Sequence, residues 1–270
     1  MSGGGPFPTP SASIGPGRRW AVLLATGLVG GVFSGLFGVG GGVVIVPALV
    51  TLLRFPQRLA SGTSLMALFP IGIVGAVSFG LQGTDALLIG VVVAAGAVVG
   101  GLVGGWLVVR VPNALLAWLF IAAVLAVVVQ LFFFTPVRGT APDLTWPLAL
   151  ALAGVGVVAG VLSGLIGIGG GIVINPALML GLGMSDLVAK AASLIAIVPN
   201  ALTTTIANAL RRNVDLLAGA VIGATGAAAT ILGTVLAHAL PPRAATIAYA
   251  VVMLLMAAQM TVRQLRHGRR

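Results

Sequence analysis

Apolar residues in this chain come in long unbroken runs, not in the alternation of a half-buried strand. Runs of about 20 residues follow one another from Trp20 to Val262, parted by short stretches of Arg, Asp, Pro or Gly. A helix of that length crosses the hydrocarbon of a bilayer. The pattern predicts two sets of five helices. The first set is Trp20–Phe37, Val43–Leu53, 59–81, 86–109 and 113–134. The second is Trp146–Ile166, Ile172–Leu182, 187–210, 216–239 and 244–262. The second member of each set rises only about 16 Å, half a bilayer.

The two sets are copies. Ser34 and Ser163 lie 129 positions apart, and at that single offset Gly38 meets Gly167 and Gly40–Gly42 meet Gly169–Gly171. Pro47 meets Pro176, Ser64 meets Ser193, Pro70 meets Pro199, Gly104 meets Gly233 and Pro112 meets Pro241. Internal duplication of this kind characterises secondary transporters, whose discontinuous helices place the substrate near the midplane. The domain reading follows: a disordered tail over 1–19, a first transmembrane repeat over 20–135, a linker over 136–145, a second repeat over 146–262 and a basic tail over 263–270.

Each half-helix is preceded by a glycine turn, Gly38–Gly42 or Gly167–Gly171, and neither turn contains a basic residue. The first N–H groups of a helix have no partner within it, and its dipole is positive at that end. Glycine lets a ligand approach such a backbone closely, so the two turns predict an anion site built without charged side chains. The expected substrate contacts are Gly38, Gly40, Gly41, Gly42, Gly167, Gly169, Gly170 and Gly171 from the backbone. Ser34, Ser64, Ser163, Ser193 and Asn175 add side-chain donors. Lys190 has two readings: a countercharge near the anion, or, slightly favoured, a side chain that snorkels to the interface.

Charge sets the topology. The 270 residues are 59% hydrophobic and 7% charged, with 14 Lys and Arg against four acidic residues. With the N-terminus inside and the short helix folding back, Arg18, Arg19, Arg54, Arg58, Arg110, Arg211, Arg212, Arg263, Arg266, Arg269 and Arg270 fall inside. Only Arg138, Lys190 and Arg243 then fall outside. A single crossing of the broken pair moves Arg54, Arg58 and Arg110 out and brings only Arg138 in. The positive-inside bias therefore favours the fold-back. Each half then makes three crossings, so the second half is inverted, and both termini are cytoplasmic. The basic excess is explained by the membrane rule, so no nucleic-acid partner is expected. The expected partners are a small anion and the bilayer of the cell membrane; a homo-oligomer is compatible with the sequence. With no cysteine there are no disulfides and no thiolate metal ligands.

Other readings of the turns fare worse. G-V-G-G-G-V from Gly38 lacks the third glycine and the βαβ setting of a dinucleotide fingerprint. GVFSG and GVLSG put two residues between Gly and Ser where a nucleophile elbow has one, which leaves an intramembrane serine hydrolase a weak alternative. Simple close packing accounts for Gly96, Gly100 and Gly104, spaced four apart, but does not require three consecutive glycines.

GGVFSGLFGVGGGVVIVPAL and AGVLSGLIGIGGGIVINPAL together resemble the paired signature of the TauE/SafE-type sulfite exporters. GTSL at Gly62–Leu65 and NVD at Asn213–Asp215 resemble further elements of that family, over about residues 20–262. The resemblance implies an anion permease for sulfite, thiosulfate, sulfoacetate or similar organosulfonates. The expectation is therefore an all-α, polytopic membrane transporter with two inverted repeats, not an enzyme, needing no cofactor or metal. A passive anion channel is the alternative.

Of the remaining polar residues, Asn200, Thr203–Thr205, Ser61 and Thr63 either line the path or satisfy backbone groups near a proline. His238 reads as a surface or packing residue, and Trp20, Trp106 and Trp146 as interface anchors. Asp85, Asp143, Asp186 and Asp215 map to loops or helix ends, so no buried carboxylate is expected.

Overall fold

The computed structural model describes residues 15–108, 110–133 and 144–267. The expected tail before residue 15, the loop with Arg138 and Asp143, and residues 268–270 lie outside the described residues. The helices are α1 (Pro16–Phe37), α2 (Gly42–Leu52), α3 (Gln57–Leu81), α4 (Leu87–Leu107), α5 (Asn113–Phe133), α6 (Trp146–Ile166), α7 (Gly171–Pro176), α8 (Asp186–Leu210), α9 (Leu216–Ala239) and α10 (Pro242–His267). No strand occurs among the described residues. Among the described residues seven helical stretches are long and apolar enough to cross a membrane: α1, α3, α4, α6, α8, α9 and Arg243–Val262 of α10.

Helix ends follow local chemistry. α1 begins at Pro16, ahead of the expected Trp20, because a proline in the first turn needs no N–H partner. α10 runs on to His267, into the stretch expected as a basic tail. α8 starts at a Ser185 cap whose hydroxyl accepts from Val188 N, and α9 at an Asp215 cap that accepts from Ala218 N at 2.9 Å. α7 stops after six residues and continues as a π-helical turn, Ala177–Gly181. Pro176 has no N–H to donate, and the ladder widens directly after it. Trp20, Trp106 and Trp146 are 45%, 51% and 77% exposed, as interface anchors require.

Glycine seams hold the helices together. Along α1, Gly27 faces Ile222 and Thr225, Gly31 faces Gly226, and Gly35 faces Thr230 and Gly233. Along α6, Gly156 faces Val93, Gly160 faces Ala97, and Gly164 faces Gly101 and Gly104. At each of these places an added Cβ would run into the backbone of the neighbouring helix. Lipid tails are as apolar as the side chains, so such close backbone packing, not hydrophobic exclusion, holds membrane helices together. Each contact in one seam maps onto the other at the 129-residue offset with the halves exchanged.

The seams also give direction. Residue numbers rise together along α1–α9 and along α6–α4, so both pairs are parallel. α3 runs parallel to α9, with Met66 on Gly219, Ile71 on Gly226 and Ser78 on Thr234. α4 runs parallel to α8, with Gly90 on Ile195 and Gly101 on Asn200 and Thr204. α3 and α8 are antiparallel, with Gly72 on Val198 and Gly75 on Leu194. Hence α1, α3 and α9 point one way and α4, α6 and α8 the other. Since α1 and α3 share a direction, the short α2 between them returns the chain.

Candidate functional site

The two glycine turns meet in the middle of the bundle. Gly38, Gly40 and Gly41 have φ of 67°, 81° and 72°, and Gly167, Gly169 and Gly170 have 81°, 88° and 84°. L side chains rarely adopt that region, which is why these positions are glycine. Gly42 and Gly171 have a different reason. A Cβ on Gly42 would sit 2.7 Å from Ile168 Cα, and one on Gly171 would sit 2.7 Å from Val39 Cα. Each turn therefore abuts the other through its last glycine. Gly40 and Gly169 both lie against the same two side chains, Leu68 and Ile197, themselves a matched pair.

The other two glycines pack differently: a Cβ on Gly41 would point at the Gly30 carbonyl on α1, and one on Gly170 at Ala159 on α6. Those two glycines seat the turn on its own hairpin. Gly42 and Gly171 face across.

The backbone here is rich in unused donors. Gly38 N and Gly167 N bond Ser34 O and Ser163 O, both at 2.7 Å. Val44 and Ile45 donate to Gly41 O, and Val173 and Ile174 to Gly170 O. Among the described residues, the N–H groups of 39–43 and 168–172 have no acceptor, and all ten residues are buried. Buried donors are normally paired, because an unpaired one costs about 1–3 kcal/mol.

The side chains expected beside the turns are all buried, but they do different things. Ser34, Ser64 and Ser193 hydroxyls are wholly buried and have no partner. Ser193 Oγ would lie 2.7 Å from a Cβ on Gly171, directly at the start of α7. Ser163 Oγ instead accepts from Asn200 Nδ2 at 2.9 Å. Asn175 Nδ2 donates to Phe37 O at 2.6 Å, so this expected substrate donor caps the end of α1 instead. Ser61 does the matching job in the other half, donating to Ile166 O at 2.8 Å.

Lys190 does not snorkel. It is 6% exposed and pairs with Asp186 Oδ2 at 3.3 Å. Its stem runs along Gly38, where an added Cβ would be 2.5 Å from Lys190 Cα. Asp186 corrects a second expectation: it sits at a helix end, yet it is 2% exposed, with Oδ1 buried and unpartnered. Sequence reasoning passed over it because helix-end carboxylates are usually solvated. The signal was its spacing of four from Lys190.

Two bland readings gain support. Thr203 and Thr204 donate to the carbonyls of Pro199 and Asn200, satisfying backbone around the proline; Thr205 Oγ1 is buried without a partner. His238 bonds Thr84 and the Thr234 carbonyl and tilts onto Phe79. Ser34 Oγ, the serine of GVFSG, has no hydrogen-bond partner among the described residues.

A family profile described as "Sulfite exporter TauE/SafE" matches residues 6–131 and 151–270, nearly the whole of both halves. The chain belongs to the TauE/SafE sulfite exporter family. Among its relatives is "Probable membrane transporter protein YdhB" of Bacillus subtilis (strain 168), 30% identical over 63% of this chain and 70% of that protein. "Probable membrane transporter protein YunE" of the same organism is 37% identical over 31% of each chain. A "Probable membrane transporter protein" of Xylella fastidiosa (strain 9a5c) is 36% identical over 31% of this chain and 30% of its own length. The chain thus spans only about a third of some curated relatives it matches. No solved structure matches. Family and fold together make this TauE/SafE member a multi-pass membrane protein.

Proposed function

We propose that this protein is a transporter that carries a small anion, a sulfur oxyanion such as sulfite or thiosulfate or an organosulfonate, by alternating access. The observation that carries the reading is the set of ten buried N–H groups without acceptors, five on each turn, beside three unpartnered serine hydroxyls. A cluster of donors with no acceptor is matched by a ligand that only accepts. Aligned N–H groups at the ends of α2 and α7 supply positive potential without the cost of a bare buried cation. The family's name, sulfite exporter, agrees with that chemistry. The opposed senses of α1 and α6, of α3 and α8, and of α4 and α9 support inverted repeats exchanging access around the shared turns. Contact between Gly42 and Ile168, and between Gly171 and Val39, favours a closed carrier over an open channel at this level. The basic side chains favour cytoplasmic termini in a cell membrane.

The test is thermal unfolding of the purified protein with sulfite, thiosulfate, sulfoacetate and methanesulfonate. A ligand held at 100 times its Kd raises stability by about 2.7 kcal/mol. A rise with one of these anions, together with saturable counterflow of that anion in liposomes, is expected. No rise with any of the four would overturn the anion reading. A non-saturable flux without counterflow would replace the carrier with a channel.

A further inference from the structure

We propose that Asp186 is a proton carrier coupled to the anion, which deepens the proposed function and rests on it. Asp186 and Lys190 sit one turn apart at the start of α8 and are bonded at 3.3 Å. Both are more than nine-tenths buried. The pair is net neutral, the only state in which two charges are tolerable away from water. One carboxylate oxygen, Oδ1, is buried with no hydrogen-bond partner. The Lys190 stem lies along Gly38, the first residue of the turn whose free N–H groups follow.

An anion at the turns adds a negative charge beside Lys190. The ammonium then serves two anions, the bound one and Asp186. A buried site with one cation and two anions is under-compensated, and the least costly correction is protonation of the carboxylate that has lost its partner. The balance is simple. Asp186 carboxylate and Lys190 ammonium sum to zero; a monoanion makes the site −1; one proton on Asp186 restores zero. The new O–H also gives the carboxyl group a hydrogen to donate. When the anion leaves, Lys190 returns to Asp186 and the proton is expelled. Anion and proton therefore travel together.

Asp186 has few other charges to answer to. α8 packs against α3, α4, α6 and α7. α4, α6 and α7 contain no charged residue. α3 contains only Arg58, and since α3 is antiparallel to α8, Arg58 lies at the opposite end, donating to Val111 O. Asp85, before α4, is at the same end as Asp186 but is exposed. The matched positions of the first half are Gln57 and Ser61, neither of which ionises near neutral pH. The charged pair thus belongs to one half alone, and the fold accommodates a carboxamide at the equivalent place.

The experiment is calorimetric titration of the purified protein with methanesulfonate and with ethanesulfonate, monoanions that bind no proton near neutral pH. Each titration is run in two buffers of different ionisation enthalpy, which gives the protons taken up per anion bound. Wild type is expected to take up about one proton. Asp186→Asn and Asp186→Gln, the latter copying Gln57, should bind the anion with no proton uptake and with affinity that no longer depends on pH. Asp186→Glu should retain uptake, which shows that a carboxylate, not the local fold, is responsible. Anion binding by wild type without proton uptake, or uptake that persists in Asp186→Asn, overturns the inference and leaves the anion site standing. Failure of wild type to bind either anion counts against the anion reading itself, and the inference falls with it.

Discussion

Ser34 and Ser163 occupy the same place in the two halves, yet their replacement by alanine should have opposite kinds of consequence. Ser34 Oγ is fully buried and has no partner, so Ser34→Ala removes an unsatisfied group. Deleting such a group is close to neutral for stability, or favourable. Ser163 Oγ accepts the Asn200 Nδ2 hydrogen at 2.9 Å, and Asn200 Oδ1 is already without a partner. Ser163→Ala strands a second polar atom of a fully buried amide, at a cost of about 1–3 kcal/mol. For a chain of this size roughly 2–4 °C of Tm follows each kcal/mol, so Ser163→Ala should lower Tm by about 2–12 °C while Ser34→Ala leaves it unchanged. The assay is thermal unfolding in detergent without added anion. A rescue sharpens it. Ile71 is the residue matched to Asn200, so Ser163→Ala combined with Asn200→Ile rebuilds the apolar first-half setting and should recover most of the loss. In anion binding the order reverses. Ser34 offers a free donor, and a hydrogen bond to a charged group is worth about 1.5–3 kcal/mol, so Ser34→Ala should weaken binding roughly tenfold or more. Equal Tm losses in the two anion-free single variants, or no recovery in the double variant, would refute the reasoning.

Gly42→Ala and Gly171→Ala each drive a methyl into backbone 2.7 Å away and should cost about 1–3 kcal/mol, whereas Gly80→Ala, with nothing within 4 Å, should gain up to about 1 kcal/mol of helix propensity; thermal unfolding ranks the three. The chain has no native cysteine, so single cysteines report sidedness: Asp85→Cys should label from outside intact cells and Arg212→Cys only after permeabilisation, and outside labelling of position 212 would reverse the orientation. Asp215→Ala removes both the α9 cap and the 2.8 Å pair with Arg19 and should cost about 1 kcal/mol or more, while Asp215→Asn keeps the cap and Arg19→Ala, at a partly exposed pair, should cost well under 1 kcal/mol. A Tm for Arg19→Ala as low as for Asp215→Ala would show that the ion pair, not the cap, is the larger contribution.

The parts of this fold that the sequence reveals are those set by backbone geometry. Runs of 20 apolar residues mark the long helices because lipid demands that length, and three glycines mark each turn because positive φ and close approach each exclude a side chain. Helix length and positive φ act on the chain locally, and close approach leaves its mark as a glycine whatever the partner. What the sequence hid is where partners come from a distance. Asn175 looked like a substrate donor, but its partner, the Phe37 carbonyl, is 138 positions away. Asp186 looked solvated because it begins a helix, and only tertiary packing buries it. The same packing buries Lys190, which on sequence alone could equally reach the interface. These surprises share a location in the duplication. At the 129-residue offset Asn175 replaces Val46, Asp186 replaces Gln57, Lys190 replaces Ser61 and Asn200 replaces Ile71. Every one of these exchanges makes the second half the more polar, and every one lies on α7 or α8. The matched positions, Gly38 with Gly167 and Leu68 with Ile197, build a symmetric frame. A symmetric frame can hold a ligand on its axis, but it cannot treat the two sides of the membrane differently. The unmatched polar residues break that equivalence, so on the proposed anion-carrier function the determinants of ion coupling are to be sought among Asn175, Asp186, Lys190 and Asn200, not among the glycines.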